Sequence, residues 1–202
     1  IGEYTADPIN EIFGRAEREG TKLDGIINIS ASPFERNKPE VRNTIFTSIC
    51  KKYETHLIYV NQVGGQDSLI FDGSSMIINS DGRVCFNLSS FEEEMGCCFF
   101  PPEQQVQQVS SIPAGCEAIY KALVLGVKDY VKKCGFQSVV LGLSGGIDSA
   151  LTAVIAVDAL GAENVFGVAL PSPYSSDESL EDAERLTKNL GCVYDVVPIA
   201  DL

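Results

Sequence analysis

The sequence predicts an α/β protein whose second half is a parallel, doubly wound sheet. Three observations carry this. From residue 137 onward, short apolar runs alternate with helical stretches in the order strand, helix, strand, helix, strand. A glycine-rich loop, Ser144-Gly145-Gly146-Ile147-Asp148-Ser149, joins the first of those runs to the first of those helices. The first half also alternates helices with short strands and shows no internal repeat.

Taken in order, residues 8–19 suit a helix with Ile9, Ile12 and Phe13 on its apolar side. Leu23 and residues 25–29 suit a buried strand that ends in the loop Asn28-Ile29-Ser30-Ala31-Ser32-Pro33-Phe34. Residues 39–54 suit a second helix, with Pro39 in the first turn, where a missing N–H costs nothing. Leu57-Ile58-Tyr59-Val60 is a short apolar strand with His56 at its edge, leading into Asn61-Gln62-Val63-Gly64-Gly65-Gln66-Asp67. Residues 74–79 and 83–88 read as strands joined by the hairpin signal Asp81-Gly82. Pro101-Pro102, a run of glutamines and Ser110-Ser111 mark a linker. The division expected is a first domain over 1–95, a linker over 96–113 and a second domain over 114–202. An amphipathic helix follows over 115–134, then a fully buried strand over 137–143. After the glycine loop come a helix through Leu160, a strand over 164–170, a helix over 178–190 and a strand over 193–199. The 178–190 helix sets Leu180, Ala183, Leu186 and Leu190 on one side and stops at Gly191. Ligands of such sheets bind at the carboxyl ends of the strands, where the Gly145 loop and residues 171–174 both fall.

Composition narrows the function classes. The chain has 202 residues, 45% hydrophobic and 21% charged, enough for a real core in one large or two small domains. No apolar run approaches the ~18 residues that a membrane span needs. No basic segment followed by an apolar one opens the sequence, so a cytoplasmic protein without a secretory signal is expected. The first residue is Ile1 rather than Met, and the natural N-terminus is expected upstream. A net charge of −13 counts against nucleic acid and against anionic membrane surfaces as partners. It leaves room for an anionic nucleotide held by local amides and a metal. The seven cysteines, odd in number and without CxxC spacing, read as reduced and mostly buried thiols. A redox-sensitive Cys97-Cys98 pair is the weaker alternative. With one histidine, His56, a His-rich metal site is excluded.

The loop 144–149 has the parts of an anion site. Gly145 and Gly146 lack Cβ atoms, so the backbone can turn sharply and come close to a ligand. The first amides of the following helix have no internal partners and carry the positive end of the helix dipole. Ser144 and Ser149 add hydroxyls. Asp148 would repel a phosphate unless a Mg²⁺ ion bridges the two. A plain glycine turn with a helix cap is the bland alternative, since serine, glycine and aspartate all favour caps. No lysine follows the loop, so it is not the loop of kinases and GTPases, and it is not a dinucleotide fingerprint.

The loop resembles the SGGxDS loop of the ATP-pyrophosphatase family, whose members bind the β,γ-diphosphate of ATP and transfer AMP to a substrate oxygen. Within that family the flanking words are similar to bacterial-type NAD synthetase domains. They are Ala122-Leu123-Val124-Leu125-Gly126-Val127-Lys128-Asp129-Tyr130, Asp158-Ala159-Leu160-Gly161-Ala162, Leu170-Pro171-Ser172-Pro173-Tyr174-Ser175-Ser176 and Leu180-Glu181-Asp182-Ala183. The resemblance covers about 115–199. It implies that Ser144, Gly145, Gly146, Ile147, Asp148 and Ser149 bind ATP, that Asp148 is a Mg²⁺ ligand, and that Val168, Ala169 and Leu170 border the adenosine. Those three residues read equally well as ordinary strand core.

The first half resembles the nitrilase-type glutaminase domain of the same enzymes. The matching words are Asn28-Ile29-Ser30-Ala31-Ser32-Pro33-Phe34 with Lys38 and Arg42, then Tyr59-Val60-Asn61-Gln62-Val63-Gly64-Gly65-Gln66-Asp67, then Phe71-Asp72-Gly73-Ser74-Ser75. The fold implied is the carboxyl-terminal part of a nitrilase-like α-β-β-α sandwich, followed by a Rossmann-like ATP-pyrophosphatase domain, both incomplete. Ser32 and Lys38 match positions that hold the substrate glutamine, although Lys38 could equally be a solvated loop charge. The family's glutaminase cysteine, glutamate and lysine precede the Asn28 segment. Near Ile1-Gly2-Glu3-Tyr4 no cysteine stands, so no glutaminase catalytic residue is assigned among the 202.

The resemblance as a whole implies a glutamine-dependent NAD synthetase, of which this chain is an interior piece, catalytically incomplete by itself. ATP would activate the carboxylate of deamido-NAD as an acyl-adenylate, and ammonia from glutamine would displace AMP. The expected cofactors are ATP and Mg²⁺. The expected partners are deamido-NAD, glutamine or ammonia, and further copies of the chain in a homo-oligomer. Two alternatives stay open: another amidating or thiolating ATP-pyrophosphatase, and a non-catalytic scaffold without the glutaminase nucleophile.

Overall fold

A computed structural model describes residues 7–102 and 111–199. The Ile1-Gly2-Glu3-Tyr4 segment, residues 103–110 of the expected linker and Asp201-Leu202 lie outside the described residues. The chain forms two compact units, Ile1–Val63 with Phe71–Ala114, and Gly64–Ile70 with Gly115–Leu202.

The first unit opens with α1 (Pro8–Arg18), capped by Asp7, whose Oδ1 accepts from the Asn10 amide at 3.1 Å. Next come β1 (Gly25–Ser30), α2 (Lys38–Tyr53) and β2 (His56–Asn61). The chain then forms a short ribbon, β3 (Val63–Gln66) with β4 (Leu69–Asp72), most of which groups with the second unit, and returns to the first unit with β5 (Met76–Ile78) and β6 (Val84–Asn87). The main sheet has the order β1-β2-β5-β6, parallel between β1 and β2 and antiparallel elsewhere. The β5–β6 hairpin turns at Gly82, in the left-handed region at φ 77°, as the Asp81-Gly82 signal requires.

One sheet face is covered by α2, whose Phe46 and Cys50 pack on Leu57, Tyr59, Met76 and Ile78. Burial pushes the Cys50 thiol up to about 11. The expectation of a buried first strand is corrected on the other face. β1 is an edge strand, and its Ile27 and Ile29 are 70% and 82% exposed. Residues 63–66, to which the sequence pattern assigns no element, form a strand that pairs with β4. Two glycines hid this strand, since glycine weakens strand propensity.

The second unit contains α3 (Gly115–Lys133), β7 (Val139–Gly142), α4 (Ile147–Leu160), a 3₁₀ turn (Ala162–Asn164), β8 (Val165–Ala169), α5 (Asp177–Leu190) and β9 (Val193–Val196). Its three strands are all parallel, in the order β7-β8-β9. Ala153 of α4 and Ala183 of α5 share one core cluster with Leu143, so both crossover helices lie on the same face. Small alanines let them come close to the sheet. β7 is an edge strand rather than a fully buried one, with Val140 72% exposed. The apolar stripe of α5 also carries buried Thr187, whose hydroxyl donates to the Ala183 carbonyl at 3.1 Å and so brings its own partner into the core.

Helix α3 packs on α4, where Tyr120 donates to Asp158 Oδ2 at 2.5 Å. Residues Gly64–Ile70 group with this unit. Asp129 of α3 accepts from the Gly65 amide at 2.7 Å, and Lys133 donates to the Gly65 carbonyl at 2.5 Å. A Cβ on Gly64 would lie 2.7 Å from Asp129 Oδ2, so this contact requires glycine.

Among the described residues no helix is long and apolar enough to cross a membrane. The seven cysteines are free, but only Cys50 and Cys85 are buried, which corrects the expectation of mostly buried thiols. Cys97, Cys116 and Cys134 sit on exposed loop or helix surface. His56 opens β2 and is buried, with its ring edge-on to Phe100 at 5.2 Å.

Candidate active site

The end of β7 delivers the chain to the glycine loop. Leu143 still donates its amide to the Val168 carbonyl at 2.8 Å, extending the strand pairing by one rung. Beyond it the chain turns. Gly145 has φ 77° and lies against α5, where a Cβ would stand 2.5 Å from the Ser179 carbonyl oxygen. Gly146 is the N-cap of α4 and has no side chain to satisfy the helix's first amides. Those amides are left for a ligand or solvent. Ser144 and Ser149 brace the turn: their hydroxyls are 3.1 Å apart, and Ser149 also donates to the Gly146 carbonyl at 3.0 Å. Asp148 is exposed in the first turn of α4.

Two cavities flank this loop. One, of about 350 Å³, is lined by Ser144, Ala169, Leu170, Tyr174, Ser176 and Ser179, among others. The other, of about 360 Å³, has Gly145, Gly146, Ile147 and Ser149 on one wall and Asp182 and Arg185 on the other. The fold thus gathers five of the six loop residues, all but Asp148, with Ala169 and Leu170 around these cavities at the carboxyl edge of the parallel sheet. Val168 is not in either lining; it is half-buried, and its carbonyl holds Leu143. Ser176 caps α5, with its hydroxyl accepting from the Ser179 amide at 3.3 Å. Sequence reasoning did not single out Ser179, because its place in the wall depends on α5 folding back beside the glycine loop.

Ser32 and Lys38 are in the first unit. Ser32 lies just past the end of β1, half-buried, with its main chain held by the Asn61 side chain. Lys38 is the first residue of α2 and pairs with Glu35 at 3.0 Å, so its charge is partnered rather than merely solvated.

The family described as NAD synthase matches residues 119–202. A glutamine-dependent NAD(+) synthetase of Synechocystis is 43% identical over 98% of this chain, and one of Thermotoga maritima is 38% identical over all of it. A solved glutamine-dependent NAD+ synthetase from Acinetobacter baumannii, in complex with ADP, superposes with a TM-score of 0.87 at 37% identity over 96% of this chain. The chain is thus similar to the NAD synthase family over residues 119–202, and across nearly all of its length to part of the glutamine-dependent NAD(+) synthetases. It spans about a third of their length: 35% of the Synechocystis protein, 41% of the Thermotoga protein and 37% of the A. baumannii chain. The mixed α/β fold with its parallel sheet is that of the family. A further NAD(+) synthetase, from Cytophaga hutchinsonii, shares the fold at a TM-score of 0.73 and 18% identity.

Among the described residues no three acidic, histidine or cysteine side chains converge to cage a metal. A single carboxylate beside a phosphate cradle fits Mg²⁺ nonetheless, since that ion is commonly bound by one or two carboxylates with substrate phosphates and water completing its shell. Asp148, exposed at the N-terminus of α4, is the carboxylate available there.

Proposed function

We propose that this chain serves an enzyme that converts deamido-NAD to NAD at the expense of ATP, with ammonia drawn from glutamine. The observation that carries the reading is the glycine loop. It is a turn between a parallel strand and a helix whose first amides have no capping side chain. It opens beside a cavity bounded by the end of β8.

A carboxylate is a poor electrophile, and adenylation gives it a leaving group. The deamido-NAD carboxylate oxygen attacks the α-phosphorus of ATP, and the bond to the β-phosphate breaks. Ammonia then attacks the acyl carbon, loses a proton, and AMP departs. In this scheme the main-chain amides of the loop, with the Ser144 and Ser149 hydroxyls, hold the departing diphosphate, where oriented donors cost no reorganisation. Asp148 holds Mg²⁺, which when bound neutralises phosphate charge. Ala169 and Leu170 offer an apolar wall to the adenosine. Ser32 and Lys38 bind the glutamine amino-acid head group, which requires Lys38 to exchange Glu35 for the substrate carboxylate.

The test is NAD formation by the purified full-length protein, supplied with deamido-NAD, ATP and Mg²⁺ and with either glutamine or ammonia. Production of AMP and NAD in equal amounts supports the reading. Absence of ATP-dependent NAD formation with both nitrogen sources rejects it.

A further inference from the structure

We propose that Asn61 is a positioning residue of the glutamine site, holding the Ser32 main chain in place under the control of the buried Arg42–Asp72 pair. The inference rests on the reading of Ser32 and Lys38 as glutamine contacts.

Parallel pairing of β1 with β2 ends at Ser30 opposite Asn61. Beyond that rung the Asn61 carboxamide takes over from the backbone. Its Oδ1 accepts from the Ser32 amide at 2.8 Å, and its Nδ2 donates to the Ser32 carbonyl at 3.3 Å. One side chain therefore satisfies both main-chain groups of the residue proposed to touch substrate. Nδ2 also faces Asp72 Oδ1 at 3.4 Å. A carboxylate only accepts, so Asp72 fixes which end of the amide carries the hydrogens and hence which end meets the Ser32 N–H.

Asp72 is itself fixed. Its Oδ2 accepts from Ser74 at 3.1 Å and forms an ion pair with Arg42, which also donates to the Tyr59 hydroxyl at 2.8 Å. Burial works against the Arg42 charge, but Asp72 and Tyr59 outweigh it and hold the guanidinium above its usual range. Asn61, Asp72 and Arg42 are 6%, 1% and 6% exposed, so all three are taken out of water. Arg42 stands one turn along α2 from Lys38. The same buried network thus anchors the helix that presents Lys38 and clamps the loop that presents Ser32. A network needed only for folding has no reason to end on both main-chain groups of Ser32.

The experiment compares Asn61→Ala, Asn61→Asp and the exchange Asn61→Asp/Asp72→Asn in the full-length protein, with glutamine and with ammonia as nitrogen source. Ammonia-driven synthesis is the internal control: it tests the proposed function itself and reports folding. Asn61→Ala is expected to raise the glutamine KM about tenfold, the effect of losing roughly one buried clamp. Ammonia-driven kcat should stay within about twofold, which is within 0.4 kcal/mol by the same conversion. Asn61→Asp places a second carboxylate against Asp72 and should be at least as impaired. The exchange keeps an acceptor for the Ser32 amide, but it leaves the Ser32 carbonyl without its donor and Arg42 without its carboxylate, so it should not recover glutamine KM. A glutamine KM unchanged in Asn61→Ala, or an exchange variant with the unsubstituted protein's glutamine KM, while ammonia-driven synthesis persists in both, overturns the proposal. Loss of ammonia-driven synthesis along with the melting transition in all three variants also overturns it, since the role is then structural.

Discussion

Replacing Gly145 by alanine tests whether the glycine loop is shaped by its neighbour or only by its own turn. A left-handed φ of 77° is required at this position, and the added Cβ would meet Ser179 O at 2.5 Å, Cα at 2.7 Å and C at 3.0 Å. All three are backbone atoms of the first turn of α5, so no side chain can swing aside. A left-handed alanine costs about 1–2 kcal/mol, and overpacking adds about 1–3 kcal/mol. The expected loss is therefore about 2–5 kcal/mol. For a unit of this size each kcal/mol lowers the midpoint by about 4–8 °C, so calorimetry should show the second unit's transition at least ~8 °C lower. Gly146→Ala is the control. Its φ of −86° suits any residue, and its Cβ would meet only the Ser144 hydroxyl, at 3.4 Å. That change should cost no more than about 1 kcal/mol through a poorer helix cap. Binding of a non-hydrolysable ATP analogue, followed by titration calorimetry, should weaken far more in Gly145→Ala, because α5 must move relative to the loop. Equal midpoints and equal affinities in the two variants would refute the close-approach argument.

Three further outcomes are expected. Asp148→Ala should remove the Mg²⁺ dependence of ATP-analogue binding while leaving the Mg²⁺-free affinity nearly unchanged, read in the same titration with and without the ion. Arg42→Met should cost about 3–5 kcal/mol in urea unfolding, because it strands the buried Asp72 carboxylate, and adding Asp72→Asn should recover much of it. The hydrogen bond to Asp158 pushes the Tyr120 hydroxyl up to about 12, so the folded state keeps this proton more tightly than the unfolded chain does. Its contribution is then full below the ordinary tyrosine range near ~10 and is lost as pH rises toward the folded value. Tyr120→Phe should flatten that alkaline fall in a thermal-melt series.

The parts of this protein that could be read in sequence are those set by neighbours in the chain. The Ser144–Ser149 loop is one, because strand, glycines, cap and helix follow one another directly. The stripe of α5 is another: Ala183 is buried and Leu180, Leu186 and Leu190 are half-buried beside it. The β3 strand was missed because Gly64 and Gly65 look like a loop until Asp129, 64 residues from Gly65, supplies the reason for them. Asn61 was visible only as one letter of a matching word. Its clamp on Ser32 spans 29 residues, and its contact with Asp72 joins β2 to β4, strands of two different sheets. Long-range partners of this kind leave no periodic signal.

Burial of the strands was the reading that failed most clearly, and its failure is informative. An apolar run states what a strand needs on its two faces, not what one unit of the chain can provide. In the first unit α2 covers one face of the sheet, and Ile27, Ile29 and Val60 are left exposed on the other. In the second unit α4 and α5 share one face, and Val140, Phe166 and Val193, which align across the three strands, are left exposed on the other. Aligned apolar side chains on an open sheet face mark the place of a further packed layer. The glycine loop needs no such layer, since β7, α4, β8 and the first turn of α5 are enough to shape it.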